Sequence, residues 1–210
     1  MTDTPTQLYL VRHGSTELNE AGILQGNSPA NLSGVGRRQI RGVAAWLAQR
    51  DDIAAIYSSD MNRAVQSAQI IADAVNLPVT TTLELRERDY GPYDGLALEA
   101  VKTTRTQNGF PTVDPFHDWH GVTGVESDTA VYERFRAFVQ PLIQQHTGKG
   151  IVIVTHSGVI QGFLYGTYHI PPERLFAFRI ERGGLFHFVQ QREFLEMRAY
   201  YPGATIFLNE

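Results

Sequence analysis

The sequence predicts an α/β fold: a three-layer sandwich with a mostly parallel central sheet, helices on both faces and an antiparallel C-terminal strand or hairpin. Three observations predict it. Short β-prone apolar runs alternate with segments of helical periodicity over most of the 210 residues. Ile151 to Thr155 is an unbroken run of β-branched residues, the composition of a parallel strand buried on both faces. The runs ending at Val11, Tyr57 and Thr155 are each followed at once by polar side chains, as in sheets whose strands open onto a crevice at their carboxyl ends.

The first run, Leu8-Tyr9-Leu10-Val11, ends in Arg12-His13-Gly14, so a buried strand delivers a cation and an imidazole to its end. Glu20 to Pro29 is rich in Gly, Asn and Pro and reads as a loop. Ser33 is the N-cap of a helix whose Ile40, Val43, Ala44 and Leu47 share one apolar face. Ile53 to Tyr57 is a short buried-type strand ending in Ser58-Ser59-Asp60, and a second helix follows from about Met61 to Val75. Pro78 to Leu83 reads as a third strand, with threonines that equally suit an exposed edge.

Gly91, Pro92 and Gly95 break the chain into a loop. Gln107 to Gly124 is rich in glycine, proline and aromatics and has no period, so it reads as an excursion from the core. A helix starts at Asp128, with a kink or restarted turn expected at Pro141. After the Ile151–Thr155 strand come His156-Ser157-Gly158 and a helix through about Gly166. Leu175 to Ile180 and Leu185 to Gln190, joined across Gly183-Gly184, read as the antiparallel hairpin.

Composition bounds the function. Eighteen basic and 22 acidic residues give a formal charge of -4, so the whole chain offers no footprint for nucleic acid or for an anionic membrane. Any anion has to be caught locally. Sixteen of the 18 cations are arginine, which suits planar bidentate recognition of oxyanions, although a high genomic GC content gives the same bias. There is no cysteine, which excludes thiolate catalysis, disulfides and cysteine-bound zinc. Met1 to Gln7 is polar, without the basic and apolar regions of a signal peptide, and no apolar run approaches the roughly 18 residues that suggest a membrane span. The expectation is a cytoplasmic protein of one domain, residues 1–210, with no nucleic-acid and no membrane partner.

The strand ends bring Arg12-His13, Ser58-Ser59-Asp60 with Arg63, and His156-Ser157 toward one crevice. Here the chain resembles a known family, the histidine phosphatase superfamily, which includes the cofactor-dependent phosphoglycerate mutases. The matching pieces are Leu10-Val11-Arg12-His13-Gly14 with Thr16 and Asn19, Leu24-Gln25-Gly26, Leu32-Ser33 with Gly36-Arg37, and Ser58-Ser59-Asp60 with Arg63-Ala64. Leu85-Arg86-Glu87 with Gly91 and Gly95, Glu126-Ser127, and Thr155-His156-Ser157-Gly158-Val159-Ile160 complete an ordered set covering Leu8 to Gln190. Two positions depart from the family: Ser157-Gly158 stands where Gly-Gly is frequent, and Leu18 where an aromatic is common.

The resemblance implies hydrolysis of a small phosphomonoester through a phosphohistidine on His13, with no metal and no cofactor. Arg12 beside His13 would keep its imidazole neutral and nucleophilic. Arg12 and Arg63 would hold the equatorial phosphoryl oxygens, and His156 would do so as an imidazolium. Asn19 and the amide of Ser157 at a helix N-terminus would add hydrogen bonds, and Gln25 and Gly26 would line the substrate pocket. The family pattern places the general acid at Glu87, kept protonated by the neighbouring phosphate; Glu17 and Asp89 are rivals on sequence alone. Each residue also has a plainer reading: Arg63 on a helix surface, Glu87 paired with Arg86 or Arg88, His156 as a core histidine.

Within the family it resembles, the short chain and Leu24-Gln25-Gly26 favour a phosphatase over a cofactor-dependent phosphoglycerate mutase, and the presence of all the catalytic residue types counts against the other alternative, a non-catalytic phosphate-ester binding module. An excursion or lid is expected at about 97–127. In it Phe110, Phe116, His117, Trp119 and His120 would cover the leaving group or form a small satellite core. A metal site at His117 and His120 with Asp114 and Asp118 is a weaker reading, since the chemistry requires no metal. The expected partners are a small phosphorylated substrate and, as an assembly, a second copy in a homodimer.

Overall fold

The computed structural model describes residues 4–109, 119, 121–170 and 179–203. Its strands are β1 (Gln7–Arg12), β2 (Ile53–Ser59), β3 (Val79–Thr82), β4 (Gly150–Thr155), β5 (Leu185–Gln191) and β6 (Phe194–Tyr201). Its helices are α1 (Glu17–Glu20), α2 (Gly34–Leu47), α3 (Asn62–Val75), α4 (Leu98–Gln107), α5 (Asp128–Gln145) and α6 (Ser157–Tyr168). The strands form one sheet in the order β3-β2-β4-β1-β5-β6, in which the first four are parallel and β5 and β6 antiparallel to their neighbours. This is the predicted α/β sandwich.

Strand periodicity divides the core. Leu8, Leu10, Ile151 and Ile153 point to one face, where Val131 and Phe135 of α5 and Val159, Ile160 and Phe163 of α6 cover them. Tyr9, Val11, Val152 and Val154 point to the other, against Ile40, Val43 and Leu47 of α2 and Ala64, Ala68 and Ile71 of α3. Each fully buried aliphatic side chain contributes about 1.5–3 kcal/mol, so these two layers dominate stability. A third cluster, Leu24, Tyr90, Tyr93, Val101, Trp119 and Val122, lies under the long connections.

Register brings the candidate histidines together. Arg12 is level with Thr155 in the parallel β1–β4 pair, and the next residue, His13, donates its backbone N–H to the Thr155 carbonyl at 3.0 Å. The chain can turn tightly here because Gly14 and Gly36 let two backbones touch. A Cβ on Gly14 would lie 2.4 Å from the Gly36 carbonyl oxygen, and one on Gly36 would lie 2.0 Å from that of Ser15.

Four sequence expectations change. The C-terminal hairpin is β5 with β6, turning at Arg192-Glu193, and does not pair residues 185–190 with 175–180. Arg179 and Ile180 are outside any strand and residues 175–178 lie outside the described residues. The Gly183-Gly184 pair instead docks on β1, with Gly183 N–H donating to the carbonyls of Arg12 and His13. Helix α4 forms inside the stretch read as excursion, burying Val101 and Arg105; its three threonines conceal that spacing from a propensity reading. Helix α5 runs through Pro141 to Gln145 without restarting. Strand β3 is the edge strand, with Thr80 and Thr81 exposed, as its composition allowed. No described helix is long and apolar enough to cross a membrane.

Candidate active site

His13 follows β1 and is 3% exposed. Its Nδ1 lies 2.8 Å from the carbonyl oxygen of Gly14. A carbonyl only accepts, so Nδ1 carries the proton and Nε2 keeps its lone pair. The ring sits edge-on to that of His156, with centroids 5.0 Å apart. Burial, then the charges of Arg63 and Arg12, holds the His13 imidazole well below its ordinary range, against the smaller opposing effect of the Gly14 hydrogen bond. His13 is neutral at physiological pH.

His156 follows β4 and is fully buried. Arg63, in the first turn of α3, donates from Nε to His156 Nδ1 at 3.3 Å. Because arginine offers only donors, His156 Nδ1 must accept, and its proton sits on Nε2, a buried atom without a partner in this structure. Burial and the charges of Arg63, His13 and Arg12 hold His156 well below the ordinary imidazole range. Without a bound phosphate the His156 ring is neutral, through burial first and then the Arg63 charge, with its one N–H on Nε2.

Arg63 is 1% exposed, so it is no surface residue. Its Nη2 and Nη1 donate to the carbonyls of Gly26 and Ser28 at 2.7 and 3.1 Å, tying the Leu24–Ser28 loop to α3. The same residues are clamped from their amides by Asp94, whose carboxylate accepts from Gly26, Asn27 and Ser28 at 2.7, 2.8 and 2.9 Å. Gln25 Oε1 accepts from the Thr16 hydroxyl at 3.0 Å, which leaves its buried Nε2 unpaired. Thr16 and Asn19 form a capping box on α1, with the Asn19 Oδ1 accepting from the Thr16 amide at 3.2 Å. The Asn19 side chain thus turns its donor end outward.

Arg12 donates from Nη1 to the Ile180 carbonyl at 2.5 Å, while its Nε is buried without a partner. Burial first, then the nearby Arg182 charge, lowers its pKa to about 10, with Glu87 pulling the other way, and it stays cationic at neutral pH.

Glu87 is 5% exposed. Its Oε1 accepts from the amides of Arg88 and Gly158 at 2.8 and 2.9 Å, and its Oε2 from the Ser157 hydroxyl at 3.3 Å. The carboxylate therefore occupies the amino end of α6, where the helix dipole favours negative charge. Gly158 is required there, since a Cβ would fall 2.4 Å from Glu87 Oε1. The neighbours expected as possible partners are engaged elsewhere. Arg86 makes a two-pronged pair with Asp60 at 2.8 and 2.6 Å, and Arg88 makes a buried pair with Asp128. The rivals Glu17 and Asp89 are exposed.

Sequence reading missed two residues near these groups. Tyr90 is buried against Trp119, and its hydroxyl would lie 3.3 Å from a Cβ on Gly158. Its place three residues after the candidate acid, before the positive-φ Gly91, is the available signal. Arg182 lies in the turn that docks on His13; nothing local in the sequence marks it. Trp119 belongs to the satellite core, whereas Phe110, Phe116, His117 and His120, with Asp114 and Asp118, lie outside the described residues.

The arrangement is thus two neutral imidazoles and a carboxylate among three arginine charges, at the carboxyl ends of parallel strands. Among known proteins, the chain is 36% identical over 158 residues to phosphoglycerate mutase-like protein 4 of Arabidopsis thaliana, covering 74% of this chain and 68% of that one. It is 32% identical over 159 residues to a metal-independent phosphoserine phosphatase of the same plant, covering 74% and 66%. In fold it is similar to a mycobacterial glucosyl-3-phosphoglycerate phosphatase, with a TM-score of 0.82 at 22% identity over 94% of this chain and 99% of that one. The phosphoserine phosphatase of Entamoeba histolytica gives 0.76 at 24%, over 93% and 96%. The sequence pattern of the histidine phosphatase superfamily (branch 1) matches residues 8–201. With the fold and a histidine pair between arginines in agreement, the chain belongs to the histidine phosphatase superfamily.

Proposed function

We propose that this phosphatase hydrolyses a small phosphomonoester by transferring the phosphoryl group to Nε2 of His13. The observation that carries the reading is the hydrogen bond from His13 Nδ1 to the Gly14 carbonyl, which fixes the tautomer with its lone pair on Nε2. That imidazole is neutral because it is buried among cations.

In the first step the Nε2 lone pair attacks phosphorus in line with the ester oxygen, the P–O bond breaks and the oxygen takes a proton from Glu87. Oε2 is the oxygen that makes this transfer, since Oε1 is held by two backbone amides and Oε2 by one hydroxyl. Arg12, Arg63 and the Nε2–H of His156 balance the charge on the equatorial oxygens. In the second step Glu87 takes a proton from water as the water oxygen attacks phosphorus. The P–N bond then breaks and inorganic phosphate leaves a neutral His13.

The names of the two plant relatives support a phosphorylated small metabolite as substrate. The test is rapid-quench labelling with a phosphorylated substrate, followed by release of phosphate from a panel of esters in EDTA. The expected result is an acid-labile, base-stable adduct that is absent in His13→Ala. An adduct that survives in His13→Ala would overturn the assignment. Conversion of 3- to 2-phosphoglycerate that depends on a bisphosphorylated primer would show the mutase instead.

A further inference from the structure

Hydrogen bonds fix the loop after β1 from several sides. His13 N–H donates to the Thr155 carbonyl at 3.0 Å, and the His13 carbonyl accepts from Gly183 N–H at 3.1 Å. The Ser15 carbonyl accepts from Ser33 N–H at 2.9 Å. Two amides between these points go to side chains instead. Gly14 N–H donates to the Ser67 hydroxyl oxygen at 3.2 Å, and Ser15 N–H donates to Gln39 Oε1 at 2.9 Å.

Ser15 N–H and the Gly14 carbonyl belong to one peptide unit, and a planar trans peptide sends its N–H and C=O in opposite directions. One side of the unit therefore faces Gln39 on α2, and the other faces His13, whose Nδ1 lies 2.8 Å from the Gly14 oxygen. Donors and acceptors run one way along this series: His13 Nδ1–H to the Gly14 carbonyl, then Ser15 N–H to the Gln39 side chain. A backbone N–H only donates, so the atom it meets is the amide oxygen of Gln39. Hydrogen bonds in series polarise one another, so the Gln39 contact makes the Gly14 oxygen a better acceptor for Nδ1–H.

The helix is built to place this side chain. Gly36 and Gln39 are three residues apart on α2 and so share a face. With no side chain at Gly36 the helix closes on the loop: a Cβ there would lie 2.6 Å from the Ser15 nitrogen. Gln39, one turn later and half-buried, reaches that nitrogen.

We propose that Gln39 is a positioning residue for the nucleophile, holding the Gly14–Ser15 peptide so that its carbonyl fixes the orientation and tautomer of the His13 ring. The proposal rests on the phosphatase reading above and adds a residue to it. Gln39 acts through the peptide and takes no part in the bond changes. Without it the carbonyl loosens, the ring turns and the Nε2 lone pair leaves the in-line direction, where a misplacement of about 1 Å is costly.

The experiment measures the burst rate of phosphoenzyme formation, and inhibition by inorganic phosphate, in wild type and four variants. Gln39→Leu removes the acceptor, and Gln39→Asn keeps the amide but is one methylene too short. Each should slow phosphorylation by about tenfold, the scale of one hydrogen bond. The factor should be the same on alkyl and p-nitrophenyl phosphates, because the nucleophile is affected and the general acid is not. Gln39→Glu keeps an acceptor oxygen and should stay within about threefold of wild type. Gln66→Leu deletes a like bond, from Leu32 N–H at 2.9 Å, away from the Gly14–Ser15 peptide, and should leave the rate unchanged. Phosphate inhibition should be unchanged throughout, since Arg12, Arg63 and His156 are intact.

A loss under about threefold in both Gln39→Leu and Gln39→Asn overturns the proposal. So does a Gln39→Glu or a Gln66→Leu as slow as Gln39→Leu, a loss confined to alkyl phosphates, or phosphate inhibition that weakens in step with the rate. If Gln39→Leu does not fold, Gln39→Asn and Gln39→Glu decide. A wild type that forms no phosphoenzyme with any ester sinks the phosphatase reading, a different result.

Discussion

Arg63 donates to Nδ1 of His156 across 3.3 Å while its two other nitrogens hold the carbonyls of Gly26 and Ser28. One planar fork thus sets the tautomer of a histidine just beyond β4 and the position of a loop some 35 residues earlier in the chain than itself. Lysine has the charge but not the fork. Arg63→Lys is therefore expected to lower kcat/KM by about 10²–10³, the scale of losing one preorganised donor to a transition-state oxyanion. Steady-state kinetics on a variant with unchanged circular dichroism checks it; a loss under threefold would mean the fork is dispensable.

Stability should fall with acid because His13 and His156 are held neutral by burial and cations. The sign follows from proton counting. Both folded pKa values lie below the unfolded value near 6.5, so between those limits the unfolded chain binds more protons and stability drops as pH falls. Each histidine contributes up to about 1.4 kcal/mol per pH unit in that window, fully retained above it. Urea denaturation from pH 7.5 to 5 should show the slope, and His156→Asn should flatten it. An identical slope in His156→Asn would place the acid sensitivity elsewhere.

The four parallel strands and the residues just beyond them were legible because buried strands read as apolar runs and ligand groups cluster at their ends. Arg12, His13, Arg63 and His156 follow from that rule alone once the strands are placed. Glu87 did not: it follows a 3₁₀ turn after an edge strand, and its carboxylate is fixed by the amides of Arg88 and Gly158, the latter far away in sequence. The hydrogen bond from Arg63 to His156 Nδ1 is not legible either, because it depends on the packing of α3 against the end of β4. Strand β6 escaped because Phe194–Tyr201 is mostly half-exposed at a sheet edge, with a register shift that blurs its alternation. The turn at Gly183-Gly184 docks on the end of β1 through long-range backbone hydrogen bonds that no local pattern encodes.

Glu87→Gln isolates proton transfer from structure. The amide oxygen of Gln can still accept from Gly158 N–H, so the amino end of α6 keeps a partner, but no proton can be given to the ester oxygen. For alkyl phosphates kcat should fall by about 10²–10⁴, the range of general acid–base catalysis. For p-nitrophenyl phosphate, whose leaving group needs no proton, the loss in the first step should be about tenfold or less, in line with the weaker call on a general acid. Equal losses on both substrates, measured in burst experiments, would move the acid to another group.

Gly158 and Gly166 lie on the same helix and both forbid a side chain, yet they should fail differently. A Cβ on Gly158 would lie 2.4 Å from Glu87 Oε1, and one on Gly166 would lie 2.2 Å from the ring of Tyr132 on α5. Either alanine overpacks its contact, so each should cost about 1–3 kcal/mol in denaturant titrations. Only Gly158→Ala also displaces the carboxylate from the amides that aim it. It should therefore slow alkyl phosphate hydrolysis more than p-nitrophenyl phosphate hydrolysis, reproducing the leaving-group signature of Glu87→Gln. Gly166→Ala should leave that ratio unchanged at temperatures where it is folded. If both alanines shifted the ratio alike, the geometry of Glu87 would depend on the packing of the whole helix instead of on the contact at its amino end.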